Sequence, residues 1–148
     1  LATNPFAFPT GVWSSPEASY YGLSVQQAQE MDLDVAEAMA LYAECLRGRV
    51  FSPNGLLKLV YEKPAGRILG VHIVGEGATE LIHIGQAVLQ LGGTLTYFID
   101  NVFNYPTLAE AYKIAALDAH NRMPKSVSED LEASEIEDAL AEDKRDVA

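Results

Sequence analysis

The strongest pattern along the chain is a pair of apolar-rich runs, Leu56 to Tyr61 and Ile68 to Val74, separated by the turn-forming Lys63-Pro64-Ala65-Gly66. Two such runs around a Pro-Gly turn predict a β-hairpin with a loop longer than the two-residue minimum. After Gly75-Glu76-Gly77 the period changes. Leu81, Ile84, Val88 and Leu91 recur at steps of three and four, which predicts a helix burying that stripe and stopped by Gly92-Gly93. Upstream, Gly11-Val12-Trp13 and Ser19-Tyr20-Tyr21 read as short strands with Ser15-Pro16-Glu17 between them. Ser24 followed by Gln27 is a capping-box pattern that opens a helix through Glu30 or Met31. From Asp34 to Tyr42 composition favours helix and position favours strand, so the pattern leaves both open. A short amphipathic piece spans Leu95 to Ile99, and Thr107 with Glu110 forms a second capping box that opens a helix through Ala119.

Strands first and packed helices later predict an α+β domain, a mostly antiparallel sheet with helices packed on one side. Residues 1–9, with Pro5 and Pro9, are expected to be an extended lead-in, and residues 10–122 the folded domain. Residues 123–148 are expected to form a flexible acidic tail, since Lys125 to Ala148 carries nine acidic and three basic side chains and no aromatic.

Composition narrows the functional classes. At 148 residues the chain can bury one apolar core unaided. Its net charge of −11 disfavours nucleic acid, which demands a basic surface. No apolar run reaches the ~20 residues of a membrane helix. One cysteine, Cys45, can form no internal disulfide, and a reducing, cytoplasmic setting is the simplest expectation. The chain starts at Leu1 without an initiator Met, which suggests a fragment or processed product.

Four features invite chemistry. Gly75-Glu76-Gly77 has the outline of a dinucleotide-binding turn, but the third glycine is replaced by Glu80, so a tight strand-to-helix turn is expected instead. His72, His83 and His120 lack metal-ligand spacing, and no metal site is expected; His83 and Gln86 suit an interface or a satisfied core role better than catalysis. Cys45 lies near Arg47 and Arg49, which could lower its pKa, though no base accompanies it. The last is Tyr105-Pro106, with Glu110 five residues beyond Tyr105. Both side chains could face one mouth, although a packed turn tyrosine and half of a capping box explain them equally well.

Taken in order, several landmarks resemble the C-terminal dimerisation domain of the FAD-linked pyridine nucleotide-disulfide oxidoreductases. They are Pro16-Glu17, Tyr21-Gly22-Leu23-Ser24, the run from Gly66 to Gly75, Glu80-Leu81-Ile82, and Tyr105-Pro106-Thr107 with Glu110-Ala111. In disulfide-reducing members the position of Tyr105 is a histidine, paired with the glutamate that corresponds to Glu110 and delivered to the other subunit's flavin. A phenol, with an intrinsic pKa of about 10, is a poor base at neutral pH. The run Phe103 to Thr107, with Glu80 to Ala87 and Ala115 to Arg122, is most similar to the soluble transhydrogenase branch, which passes hydride between NADPH and NAD through FAD. The resemblance thus implies a homodimer in which Tyr105 and Pro106 meet the partner's FAD, with FAD and NAD(P) as cofactors of the full-length enzyme. Tyr105 and Glu110 keep the acid/base positions without the acid/base role. The family's FAD and NAD domains are absent, so the isolated chain is expected to hold no cofactor and to be inactive. Two alternatives remain open: a stand-alone dimeric binding or structural module with an acidic interaction tail, and a domain of a dihydrolipoamide-dehydrogenase-like reductase.

Overall fold

The computed structural model describes residues 8–123; the expected lead-in up to residue 7 and the acidic tail from residue 124 lie outside the described residues. Five antiparallel strands form one sheet in the order β1-β2-β5-β4-β3: β1 (Thr10–Val12), β2 (Ala18–Gly22), β3 (Val35–Leu41), β4 (Leu56–Glu62) and β5 (Arg67–Val74). The predicted hairpin is β4-β5, at the heart of the sheet. The ambiguous stretch from Asp34 is β3, paired with β4 from Val35↔Glu62 to Leu41↔Leu56. Its helix-favouring alanines are overruled by the exposed edge that β4 offers, a ladder no local pattern can reveal.

Five helices accompany the sheet among the described residues: α1 (Val25–Glu30), α2 (Leu46–Phe51), α3 (Ala78–Gln90), α4 (Leu95–Asp100) and α5 (Glu110–Arg122), with a 3-10 turn at Tyr42–Glu44 before α2. Helices α3, α4 and α5 cover one face. There Leu57, Leu59 and Tyr61 of β4 and Ile68, Val71 and Ile73 of β5 form a single core with Ile82, Phe98 and Tyr112. The inward residues of β3 are Ala36, Ala38 and Ala40, facing α5, which turns Ala111, Ala115, Ala116 and Ala119 towards the core. Small side chains on both elements let the helix lie close to the strand.

One helix departs from the expected one-sided arrangement. Opposite the hairpin turn, Val60 pairs with Gly70 and Tyr61 with Ile68, so Leu69 is an extra residue that bulges β5. The Leu69 carbonyl accepts the Leu23 N–H at 2.8 Å. A Cβ on Gly70 would meet the Leu23 carbonyl at 1.9 Å, so only glycine allows the chain to cross there. Leu23 thereby leads α1 to the second face, where Val60 and Ala28 are fully buried outside the main core. Both halves of the predicted capping box hold α1 in place: Ser24 Oγ accepts the Gln27 N–H at 3.2 Å, and Gln27 Oε1 accepts the Ser24 N–H at 2.9 Å.

Helix α3 is rotated from its predicted stripe. Ala78, Ile82, Gly85 and Val88 are the buried positions, Leu81 and Ile84 pack at their margin, and Leu91 is 87% exposed just past the last turn. The small residues occupy the closest approach to the sheet: a Cβ on Gly85 would meet Val71 Cγ2 at 2.6 Å. The Tyr112 hydroxyl reaches into the same gap from α5, accepting the Gly85 N–H at 3.1 Å and donating to the Leu81 carbonyl at 2.7 Å. Those two groups are helical i, i+4 partners, so the hydroxyl sits in the α3 ladder and joins the two long helices.

Candidate functional site

The segment between α4 and α5 carries the candidate site. Phe103 tucks inward and stacks on Phe98 at 6.4 Å between ring centroids, and Phe98 in turn stacks on Tyr112 at 4.9 Å. That aromatic column ties an otherwise exposed loop to the core. Beyond it the chain turns outward through Asn104 and the cis Tyr105-Pro106 peptide. Tyr105 is 66% exposed, and its hydroxyl has no hydrogen-bond partner among the described residues. Against the described residues, then, Tyr105 is not a packed turn tyrosine.

Tyr105 and Glu110 do come together, as walls of one groove of about 300 Å³ shared with Val102, Phe103, Lys113 and Ile114. They are not hydrogen-bonded to each other. Glu110 Oε2 accepts the Thr107 backbone N–H at 3.2 Å, while Thr107 Oγ1 donates to the Asn104 carbonyl at 2.7 Å. Only half of the predicted capping box has formed: the threonine hydroxyl has turned back to the loop, and α5 begins at Glu110 instead of directly after Thr107. Lys113, one turn further on, donates from Nζ to the Asn101 carbonyl at 3.2 Å.

Cys45 does not behave as its neighbouring arginines suggest. It is buried, and burial first, then the charges of Glu110 and Glu44, push its thiol up to about 11. Arg47 instead lies over the Phe51 ring at 5.5 Å, and Arg49 Nε donates to the Ala43 carbonyl at 3.2 Å. Cys45 is thus an inert core thiol. Sequence reasoning could not see Glu110 behind it, because the two meet only through the packing of α5 on the turn before α2.

The remaining candidates have structural roles. Gly75 (φ 138°) and Gly77 (φ 69°) make the strand-to-helix turn, and a Cβ on Gly75 would strike the Tyr42 ring at 2.7 Å. The N-terminus of α3 already faces an anion: Glu17 Oε2 accepts from the Thr79 hydroxyl at 3.0 Å. A pyrophosphate would have to displace that carboxylate. His72 is half-buried with Nε2 3.1 Å from the Leu23 carbonyl, and burial lowers its pKa, which favours the neutral ring. His83 is exposed, with Nδ1 2.8 Å from Gln86 Oε1. Among the described residues no three His, Cys, Asp or Glu side chains could share a metal ion, and no helix is long and apolar enough to cross a membrane.

Comparison with known proteins identifies the domain. Residues 8–116 match the family model described as pyridine nucleotide-disulphide oxidoreductase, dimerisation domain. The chain is 45% identical over 116 residues to the soluble pyridine nucleotide transhydrogenase of Mycobacterium tuberculosis, covering 78% of this chain and 25% of that protein. It is 40% identical over 119 residues to the soluble pyridine nucleotide transhydrogenase of Escherichia coli, covering 78% and 26% respectively. The chain therefore spans about a quarter of the length of these relatives. Among solved structures, LpdA from Mycobacterium tuberculosis superposes with a TM-score of 0.72 at 19% identity, over 79% of this chain and 26% of that one. The HOCl-induced flavoprotein disulfide reductase RclA from Escherichia coli gives 0.70 at 25% identity, over 74% and 26%.

Proposed function

The chain belongs to the pyridine nucleotide-disulphide oxidoreductase dimerisation domain family, and on that premise we propose that it pairs two copies of a flavin-dependent transhydrogenase, each lending its Tyr105-Pro106 corner to the other's FAD. In this reading residues 10–122 are the pairing unit of a cytoplasmic homodimer, and the reaction passes hydride between NADPH and NAD. The flavin supplies the redox centre when bound, and it is held by domains beyond this chain.

What this chain contributes is a wall. Tyr105 offers an exposed ring with no hydrogen bond among the described residues, beside a groove walled on its apolar side by Val102, Phe103 and Ile114. A flat aromatic cofactor would find there a stacking or edge surface with one polar tip. The observation that carries the reading is the outward aim of Tyr105, which gives it a route to a second molecule. A histidine could serve a thiolate by passing a proton near neutral pH, whereas a phenol here favours direct hydride exchange over disulfide reduction. The isolated chain, with no nucleotide-binding turn among its described residues, is proposed to bind neither FAD nor NAD(P) and to be inactive.

The test is a chimera in which residues 8–123 replace the corresponding domain of the Escherichia coli soluble transhydrogenase. A yellow dimer that moves hydride from NADPH to a thionicotinamide analogue of NAD is expected. A correctly folded dimer that retains FAD and shows no transfer would refute the proposal.

A further inference from the structure

We infer that Glu110 is a positioning residue, its carboxylate clamping the Thr107 backbone amide so that the Tyr105-Pro106 corner is held in its outward pose. This deepens the flavin-facing reading above and rests on it for its purpose, though not for its geometry. Glu110 keeps the acid/base position of the family resemblance, yet its oxygen is spent on the main chain. Oε2 accepts the Thr107 N–H, and Thr107 Oγ1 in turn holds the Asn104 carbonyl. These two bonds seize the residues on either side of Tyr105-Pro106. Among the described residues Glu110 forms no ion pair and no second hydrogen bond, and Lys113, the nearest cation on its helix, is turned to the Asn101 carbonyl.

The anchor beneath the clamp is rigid. Glu110 opens α5, and the next two residues, Ala111 and Tyr112, are fully buried, with Tyr112 locked to α3 by both of its hydrogen bonds. The first turn of α5 therefore holds the loop at two points, Asn101 through Lys113 and Thr107 through Glu110. Tyr105 adds no hydrogen bond of its own to this placement, since it is largely exposed and its hydroxyl has no partner among the described residues. A carboxylate accepting from an amide makes a charge-assisted bond, stronger than a neutral acceptor can offer. Loss of the side chain should loosen the corner without unfolding the core, whereas glutamine, which keeps an acceptor oxygen at the same reach, should restore most of the order.

The measurement is amide NMR of the whole 148-residue chain, comparing wild type with Glu110→Ala and Glu110→Gln. In the wild type the Thr107 amide proton is expected to move upfield as acid protonates the carboxylate, in step with the Glu110 side-chain carbon. Glu110→Ala should abolish that pH dependence and lower the heteronuclear NOE from Asn104 to Thr107. Glu110→Gln should keep the NOE close to wild type while abolishing the pH dependence. A purely space-filling role would produce neither the titration nor the separation between the two variants. A Thr107 amide indifferent to pH, or an unchanged NOE in Glu110→Ala, would overturn the inference. The flavin reading is decided separately by the chimera: inactivity there, with Thr107 still following Glu110, would refute that reading and leave the clamp in place.

Discussion

Gly85→Ala sets two effects of opposite sign against each other where α3 lies close against the sheet. Alanine is the better helix former, and in the interior of α3 the exchange should gain about 1 kcal/mol. The new methyl, however, would lie 2.6 Å from Val71 Cγ2 and 2.9 Å from the Tyr112 hydroxyl. Val71 is fully buried in a central strand with a stiff, β-branched side chain, so it cannot yield cheaply. Overpacking of this kind costs roughly 1–3 kcal/mol. Displacing the Tyr112 hydroxyl would also strip a buried partner from the Gly85 N–H or the Leu81 carbonyl, a further loss of about 1–3 kcal/mol. Sterics and the lost bond should therefore outweigh propensity, leaving a net destabilisation of about 1 to 5 kcal/mol. Urea denaturation followed by far-UV circular dichroism, at one fixed protein concentration, should show a lower midpoint at an unchanged slope. Tyr112→Phe alone should cost about 1–3 kcal/mol, and the double variant less than the sum, because the two changes share one gap. A Gly85→Ala protein as stable as wild type, or more so, would show that propensity prevails and that the α3 contact with the sheet is looser than described.

Ser24→Ala removes the side-chain half of the α1 capping box and should cost about 1 kcal/mol in the same denaturation assay; a loss below about 0.3 kcal/mol would mean the cap is dispensable. Cys45, with its thiol at about 11, holds roughly one thiolate per thousand molecules at pH 8, so alkylation of the native chain should await unfolding; prompt labelling would contradict its burial. Because that folded value lies above the ordinary 9, folded chains keep a proton that unfolded chains have lost. Stability should therefore fall as pH rises from about 9 to 11, and Cys45→Ala should flatten the lower part of that decline. Tyr105→Ala should leave stability within about 0.5 kcal/mol of wild type, since the ring is exposed. In the chimera Tyr105→His should retain most of the hydride transfer; near-total loss would show that the phenol itself takes part in the chemistry.

What the sequence disclosed was local, and what it hid was contact across the fold. The hairpin and the start of α1 are written in turn residues and a capping pair that act within a few positions, and both formed as expected. The strand character of β3 depends on a ladder to β4 that its alanine-rich composition does not announce. Helix α3 misled the reading because periodicity gives most weight to large residues, while Ala78 and Gly85 make the closest approach. Helix α2 escaped notice altogether: Leu46, Val50 and Phe51 face solvent, so it has no buried apolar stripe to find, and its one buried residue is Gly48. At the candidate site Tyr105, Pro106 and Glu110 could be picked out residue by residue, and the capping pattern hinted at the Glu110 bond to Thr107. The groove walls from Lys113 and Ile114, and the burial of Cys45 behind Glu110, emerge only when α5 packs.

Sedimentation equilibrium of the 148-residue chain, from low micromolar to several hundred micromolar, bears most directly on the claim that these residues exist to join two copies. A mass of twice the chain is the result the account requires. A single-chain mass across the whole range would contradict it.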